Sequence, residues 1–540
     1  MLKLNETMIL YEDKGYIAVA VSDMATLVAL RAMPMAVASS NIVPSMVLLP
    51  WCDDVCRVLT NMGYDMTMAS PFMFSQHPLV EGKYTGMAHQ LITAAFVCLH
   101  PRSYVLSDPR TGKTGSLILA MDYLQRNRMV TGGFLIATTV TTMQSVWVDG
   151  IKGTLPNAKV VIAHQATRAS ALKEPADFYI TNYDSVRLST KDFVNAVLEQ
   201  RIGGCVIDEL THLGNAASKR FKAFNAVLNQ TNMEYVIGLT GSPGNNPEAI
   251  YGMCSMVNRG RLKVRTKTAW LNMVTYRYGP EPYMVKNTAD APRVFHEVMQ
   301  PAIRFAKKDI LDLPPVVTQD RVCDLSKEQR DMREQFVAAA IALTKTGERI
   351  TAANGGVAMQ KLMQTALGFC MDNNGKPIEL EHSSRAQTII DIIGETDRKV
   401  VVFSCYKASM KMRLDEIRAA GYTAELISGD VSGAERARIL HDFQYSDAPH
   451  VLVAHPQTVS YGVELSRSDT MIFDGPPMLG GFVYAQALER LSSAKQTADH
   501  ISIIRVMSSP EEKRGFAMLD AGKTFSDTVA ALFEEFNKSA

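Results

Sequence analysis

At 540 residues the chain is too long for a single hydrophobic core, and three or four folding units are expected at about one per ~150 residues. Apolar residues make up 47% and charged residues 21%, which excludes a fibrous or largely disordered chain. A formal net charge of +1 excludes nucleic-acid binding through a global basic field, so any such binding has to come from local patches.

The opening residues, Met-Leu-Lys-Leu-Asn-Glu-Thr, lack the charged start and apolar run of a secretory signal. The most apolar stretch, 17–51, is broken by Asp23, Arg31, Pro34 and Pro44, which argues against a membrane span of about 20 residues. A soluble, intracellular protein with no membrane partner is expected. The 8 cysteines are scattered, and Cys52 and Cys56 lack metal-knuckle spacing, so buried thiols are expected. Residues 1–80 read as a small accessory α+β domain, a candidate for DNA or partner recognition. In it 8–11 and 16–21 flank the turn Glu-Asp-Lys-Gly, and a helical pattern covers 23–32.

From 81 to 257, short β-rich apolar runs at 104–106, 134–137, 160–163, 178–181, 205–207 and 235–239 alternate with amphipathic stretches. That is the pattern of a parallel sheet covered by helices, and it predicts a first α/β lobe. Residues 258–390 are richer in helical pattern and charge, as in 327–344, and are broken by Asp312-Leu313-Pro314-Pro315. They read as a largely helical bridging insertion. The alternation returns over 391–540, at 399–403, 424–427, 451–454, 471–473 and 501–506, and predicts a second α/β lobe.

After the run ending at Leu106 comes Ser107-Asp108-Pro109-Arg110-Thr111-Gly112-Lys113-Thr114, followed by a helical stretch over 115–125. Strand, loop, Gly-Lys-Thr and helix make a phosphate-binding loop. Glycine lets backbone N–H groups approach phosphate, the helix N-terminus favours an anion, Lys113 reaches phosphate oxygens and Thr114 suits a magnesium ion. The full pattern has a further glycine where Ser107 stands. Later an apolar run ends in Ile207-Asp208-Glu209. A carboxylate at a strand tip suits a Mg²⁺ shell and its neighbour suits an attacking water, although a solvated acidic turn has the same composition. Thr240 and Ser242, in Gly238-Leu239-Thr240-Gly241-Ser242-Pro243, are candidates to couple hydrolysis to movement; a tight strand-to-helix connection is the plainer reading.

The order of these segments resembles a superfamily-two helicase and, within it, the Swi/Snf-type DNA translocases, over roughly residues 85–510. His89-Gln90 stands where that family reads adenine; Leu135-Ile136-Ala137-Thr138 with Val146-Trp147, and Ile180-Thr181-Asn182-Tyr183-Asp184-Ser185, resemble its next motifs. Ile303-Arg304-Phe305-Ala306-Lys307-Lys308-Asp309 before Leu313-Pro314-Pro315 is similar to its bridge between lobes. Gly429-Asp430 with Arg436, Gly462-Val463-Glu464-Leu465, and Gln486-Ala487-Leu488-Glu489-Arg490 through Gln496 follow in family order.

The resemblance implies two tandem RecA-like lobes that bind ATP and Mg²⁺ in the cleft between them. Gln90, Thr111, Gly112, Lys113, Thr114, Gly462 and Gln486 would contact nucleotide, and Thr114 and Asp208 the metal. Lys113, Asp208, Glu209 and an arginine finger, Arg490, would be catalytic. Thr181, Tyr183 and Thr458 would touch DNA. Duplex DNA, replication, recombination or repair proteins, a monomer on DNA, and a cytoplasmic place (nuclear in a eukaryote) are the accompanying expectations. Such abbreviated cores resemble those encoded by bacterial viruses.

Two departures stand out. The histidine after the acidic pair comes one place late, at His212, and Ser493 stands where the family's last motif carries a second arginine. Arginine fingers contribute about 10³ to 10⁵ in rate in related chemistry, so a feeble ATPase acting as a nucleotide-dependent DNA clamp is an alternative, as is a strand-separating DNA or RNA helicase. Finally, Arg259, Arg261, Lys263, Arg265 and Lys267 alternate over one run. In an extended strand they would share one face at about 6.6 Å spacing, near the phosphate repeat. A charged edge strand that blocks aggregation fits the same pattern.

Overall fold

The computed structural model describes residues 2–521 apart from 5–6, 78–85, 242–243, 245, 259–261, 263, 265, 278–284, 311–312, 346–351, 373, 460–464, 478–480 and 493–495, with backbone alone at 2, 285, 339–345, 352–355, 481–482 and 486. The chain divides into two compact units, Met1–Ile310 and Leu311–Ala540.

The first unit begins with an antiparallel sheet of β1 (Leu2–Lys3), β2 (Met8–Tyr11), β3 (Tyr16–Val21), β4 (Val37–Ala38) and β5 (Ser45–Pro50), ordered β1-β2-β3-β5-β4. The β2–β3 hairpin turns through Gly15 at φ 68, a left-handed position natural to glycine. Alternate residues Met8, Leu10, Ile17, Val19, Val47 and Leu49 pack against Leu27 and Leu30 of the helix Met24–Arg31. Asp23 caps that helix by accepting from the Thr26 N–H at 2.8 Å.

A seven-stranded sheet follows, built from β6 (Arg102–Val105), β7 (Gly133–Thr138), β8 (Val160–Ile162), β9 (Phe178–Asn182), β10 (Ile202–Ile207) and β11 (Tyr235–Leu239). The small hairpin β12 (Thr275–Arg277) and β13 (Val285–Asn287) lies apart from it, and β14 (Ala302–Ile303) completes it. The order is β14-β6-β11-β10-β7-β9-β8, with every neighbouring pair parallel. Both faces are apolar, as a parallel sheet between helices requires. Leu135, Tyr179, Cys205 and Val236 enter one core, and Phe134, Ile136, Phe178, Val206 and Ile237 the other.

The second unit holds β15 (Val316–Val322), the pair β16 (Phe369–Met371) and β17 (Pro377–Glu379), and β18 (Lys399–Phe403), β19 (Ala424–Ile427), β20 (Val451–Ala454), β21 (Ser468–Phe473) and β22 (Ile501–Met507). Six of these form a parallel sheet ordered β15-β22-β21-β18-β20-β19. The two parallel α/β sheets expected from the sequence are therefore present.

The stretch 258–390 carries the expected long helix, Lys327–Lys345, but it also supplies β14 to the first sheet and β15 to the second. The thiol expectation fails at two positions, since Cys52 is exposed and Cys405 half-buried. Among the described residues, no helix is long and apolar enough to cross a membrane.

Candidate nucleotide site

The strands β6, β11 and β10 are neighbours, so their C-terminal tips bring together the loop 106–112, Thr240-Gly241 and Asp208-Glu209. Ligands of open parallel sheets bind at such tips. The loop enters the helix Lys113–Arg126 through Gly112, which is left-handed at φ 77. A Cβ at Gly112 would meet the end of the Gln90 side chain, with Nε2 1.8 Å away. Gln90 is buried in the first turn of the helix Ala88–Leu99 and accepts from the Met87 N–H at 3.0 Å through Oε1. Its neighbour His89 bonds the Thr111 carbonyl through Nε2 at 2.8 Å. One helix N-terminus therefore clamps the loop while the loop opens another.

The Lys113 ammonium lies inside the loop, donating to the carbonyls of Ser107 at 2.7 Å and Asp108 at 2.8 Å. The Thr111 hydroxyl donates to the Asp108 carbonyl at 2.9 Å, and Thr114 is half-buried in the first turn of the helix. Ser107, in place of the pattern's first glycine, accepts from the Phe305 N–H at 3.0 Å. The segment after β14 thus runs along the loop, where the Lys307 N–H also donates to Asp108 Oδ2 at 3.0 Å. A left-handed glycine turn at a helix N-terminus, with a lysine inside the loop, suits a phosphate group.

Asp208 is held from two sides. Its Oδ2 accepts from the Thr138 hydroxyl at 2.9 Å and from the Trp147 indole N–H at 2.9 Å. Trp147 is fully buried, and Thr138 ends β7, the strand next to β10. A carboxylate with one oxygen occupied by two donors presents the other in a fixed direction, which suits a cation shell. Glu209 follows in the left-handed region at φ 57 and ψ 60, a costly conformation for a residue with a Cβ and one that clusters at functional sites. Gly241 packs flat on the loop, since a Cβ there would lie 2.8 Å from Pro109 Cδ. Thr240 is buried on β11's tip, its N–H bonded to the Val105 carbonyl at 3.2 Å.

The late histidine is brought back by the single 3-10 turn Leu210–Leu213, which sets the His212 ring 5.1 Å from the Tyr183 ring. Burial and the nearby Arg220 hold the His212 pKa below its usual value, so the ring is neutral near pH 7. Two expectations need correcting. The Thr181 side chain is fully buried and its hydroxyl donates to the Ala163 carbonyl at 2.7 Å; Tyr183 is also buried and its hydroxyl donates to the Asp208 carbonyl. Neither side chain faces a nucleic acid, because both are used to fasten the lobe. The alternating basic run also fails as a single strand at its end. Lys267 opens the helix Lys267–Val274 and pairs with Glu248 at 2.9 Å. Arg259, Arg261, Lys263 and Arg265 lie outside the described residues, as do Ser242, Gly462 and Ser493 and the side chain of Gln486.

In the second unit Arg490 is buried just after the helix Gly481–Leu488, and the Thr458 hydroxyl donates to the carbonyl of His455 at 2.7 Å. Gln496 is a brace, bonding the carbonyls of Ser468 at 2.8 Å and Leu491 at 3.0 Å. Among the described residues no group of three or more His, Cys, Asp or Glu side chains could hold a metal by itself. The polar partners missing from the sequence-based site are Trp147, Thr138 and His89. Each stands in a motif already noted, but the groups it bonds are remote in sequence.

The sequence matches the SNF2-related domain over residues 97–373 and the helicase conserved C-terminal domain over 384–495. It is similar to the TATA-binding protein-associated factor BTAF1 of Arabidopsis thaliana, at 22% identity over 358 residues, covering 54% of this chain and 17% of that protein. It is also similar to the Chromodomain-helicase-DNA-binding protein 1-like of Danio rerio, at 22% identity over 385 residues, covering 67% of this chain and 35% of that protein. The chain thus spans well under two thirds of the length of either relative. Among solved structures it is similar to the Sulfolobus solfataricus SWI2/SNF2 ATPase core in complex with dsDNA, with 18% identity, coverage of 86% of this chain and 95% of that chain, and a TM-score of 0.39. The same core domain without DNA aligns at 18% identity, covering 83% of this chain and 90% of that chain, with a TM-score of 0.38.

Proposed function

From the premise that the chain belongs to the SNF2-related family, with a helicase C-terminal domain behind it, we propose that it is an ATP-dependent motor of helicase superfamily two that moves along or remodels duplex DNA. The observation that carries this is the convergence of Lys113, Asp208 and Glu209 on the tips of neighbouring strands, with Asp208 pinned by Thr138 and Trp147. The relatives' names support the substrate, since one is a TATA-binding protein-associated factor and the other a DNA-binding helicase.

In this reading Gly112, Lys113 and the first turn of its helix receive the phosphates of ATP. Thr114 and Asp208 hold Mg²⁺, which when bound neutralises charge on the phosphate oxygens. Gln90 and Thr111 shape the loop from behind. Glu209 orients the attacking water and takes its proton. Gly241, flat against Pro109, relays displacement of the loop toward Thr240 and Ser242. Gly462, Gln486 and the finger Arg490 act from the C-terminal lobe, and Thr458 with Arg259, Arg261, Lys263 and Arg265 serve the DNA backbone. Mg²⁺ and ATP are the cofactors, a monomer the working form, and the cytoplasm or nucleus the place of action.

The test is phosphate release from ATP with duplex DNA, single-stranded DNA and RNA, with Lys113→Ala as control. Duplex-stimulated turnover that is lost in Lys113→Ala is expected. Ser493, where the family's second arginine would stand, favours one other reading, the nucleotide-dependent clamp. Tight ATP and DNA binding with negligible turnover on all three nucleic acids would support that reading over the motor.

A further inference from the structure

The geometry points to Tyr183 as a positioning residue for hydrolysis: its buried hydroxyl holds the Asp208–Glu209 peptide in the left-handed turn that sets how Glu209 leaves the strand tip. The inference rests on the proposed role of Glu209. A left-handed glutamate persists only where its surroundings over-determine it. Here the Tyr183 hydroxyl donates to the carbonyl oxygen of Asp208, in the peptide group that joins Asp208 to Glu209, and lies 3.3 Å from the Glu209 carbonyl. Both carbonyls of the turn therefore face one donor.

That donor has little freedom. Tyr183 is 4% exposed, and its ring packs 5.1 Å from His212 and 5.8 Å from Phe224. Its backbone is fixed on both sides. Asn182 caps the following helix by accepting from the Ser185 N–H at 3.1 Å, and Asp184 pairs with Arg220 at 2.5 Å and Arg187 at 3.2 Å. Arg220 lies on the helix Lys219–Leu228, so β9, β10 and that helix are tied at one point. A phenol carries its proton near neutral pH, where the hydroxyl is a donor.

The experiment compares wild type, Tyr183→Phe, Glu209→Gln and the double variant in single-turnover ATP cleavage, with KM for ATP and thermal unfolding measured alongside. Tyr183→Phe keeps the ring and its packing, and folding should be retained, as the thermal unfolding checks. It should lower the cleavage rate about tenfold with KM within about twofold, on the scale of one lost hydrogen bond to a constrained group. In the Glu209→Gln background it should change the residual rate less than about twofold, because both variants remove the same contribution. Wild-type turnover in Tyr183→Phe, or an undiminished tenfold loss in the Glu209→Gln background, would overturn the inference while leaving the motor reading in place. A wild type without turnover would overturn the motor reading, and this inference with it. Should Tyr183→Phe not fold, a ring-fluorinated tyrosine at position 183 keeps the shape and strengthens the donor; an unchanged cleavage rate there overturns the inference equally.

Discussion

Removing Thr138 and Trp147 as donors should reveal how Asp208 is held. Each gives a hydrogen bond of 2.9 Å to the same oxygen, and a bond to an ionised group is worth about 1.5–3 kcal/mol. With one donor gone, the other still favours the held rotamer by at least about tenfold, so its population stays near 90%. Thr138→Val and Trp147→Phe should therefore each reduce single-turnover ATP cleavage by less than about twofold, although Trp147→Phe also removes buried packing and lowers stability. With both gone, the carboxylate redistributes over about three rotamers. It is then driven further toward water by about 1–3 kcal/mol, the penalty of an unsatisfied buried group. The double variant should lose about 10- to 100-fold, and higher Mg²⁺ should recover part of the loss. Rates measured on folded protein, judged by circular dichroism, decide the matter. A double variant no worse than the product of the singles would refute the pinning argument.

Gly112→Ala should cost about 1–2 kcal/mol for a left-handed alanine and push aside the Gln90 amide, 1.8 Å from the new Cβ. Adding Gln90→Ala should relieve the second part only, read as partial recovery of ATP-analogue affinity by titration calorimetry. Arg385, 1% exposed, pairs with Glu512 at 2.7 Å in the second unit, so Arg385→Met should destabilise it by about 3–5 kcal/mol in urea unfolding by leaving buried carboxylates unpaired. His382 donates to the Leu380 carbonyl and to Glu416, near Glu379 and Arg413. Burial opposes its charge, but these bonds outweigh it and raise its pKa above 6.5. Its contribution is therefore complete below about pH 6.5 and lost as pH rises through the higher folded value. The unfolding midpoint of the second unit should fall over that rise, and His382→Gln should flatten the dependence.

Much of the fold was legible because parallel strands buried on both faces spell themselves as short apolar runs. The runs at 134–137, 178–181 and 235–239 lie within β7, overlap β9 and coincide with β11. β15 was not legible for the opposite reason. At the sheet's edge, Val316, Val317 and Val322 are exposed and Thr318-Gln319-Asp320-Arg321 reads as polar, so only pairing with β22 makes it a strand. β14 is too short for any periodic signal. In the candidate site, Lys113, Gly112 and Asp208 stand in local patterns, since the residues that would meet a phosphate and its metal lie within short, contiguous segments. Trp147 and Thr138 bond Asp208 across 61 and 70 positions, and no local pattern encodes such a partnership. Tyr183 misled for a related reason. Its position in a motif suggested an outward surface, whereas the hydroxyl is aimed at the backbone of the neighbouring acidic turn.

The helix Asp53–Asn61, which follows the small N-terminal sheet, touches the larger lobe at a few points. Asp53 accepts from the Tyr123 hydroxyl at 2.9 Å, and Arg57 donates to the Cys98 carbonyl at 3.3 Å and to the Tyr235 hydroxyl. Tyr123 and Cys98 stand on the helices Lys113–Arg126 and Ala88–Leu99, the two whose N-terminal ends form the loop and its clamp. Leu99 even belongs to the small sheet's own apolar core. Asp53, Arg57 and the apolar cluster around Leu99 therefore splint the two rods whose N-terminal ends carry the loop 106–112 and its clamp. Removing residues 2–77 should leave Tyr123 and Tyr235 without their Asp53 and Arg57 contacts and uncover Leu99, loosening the loop 106–112 from behind without touching a residue inside it.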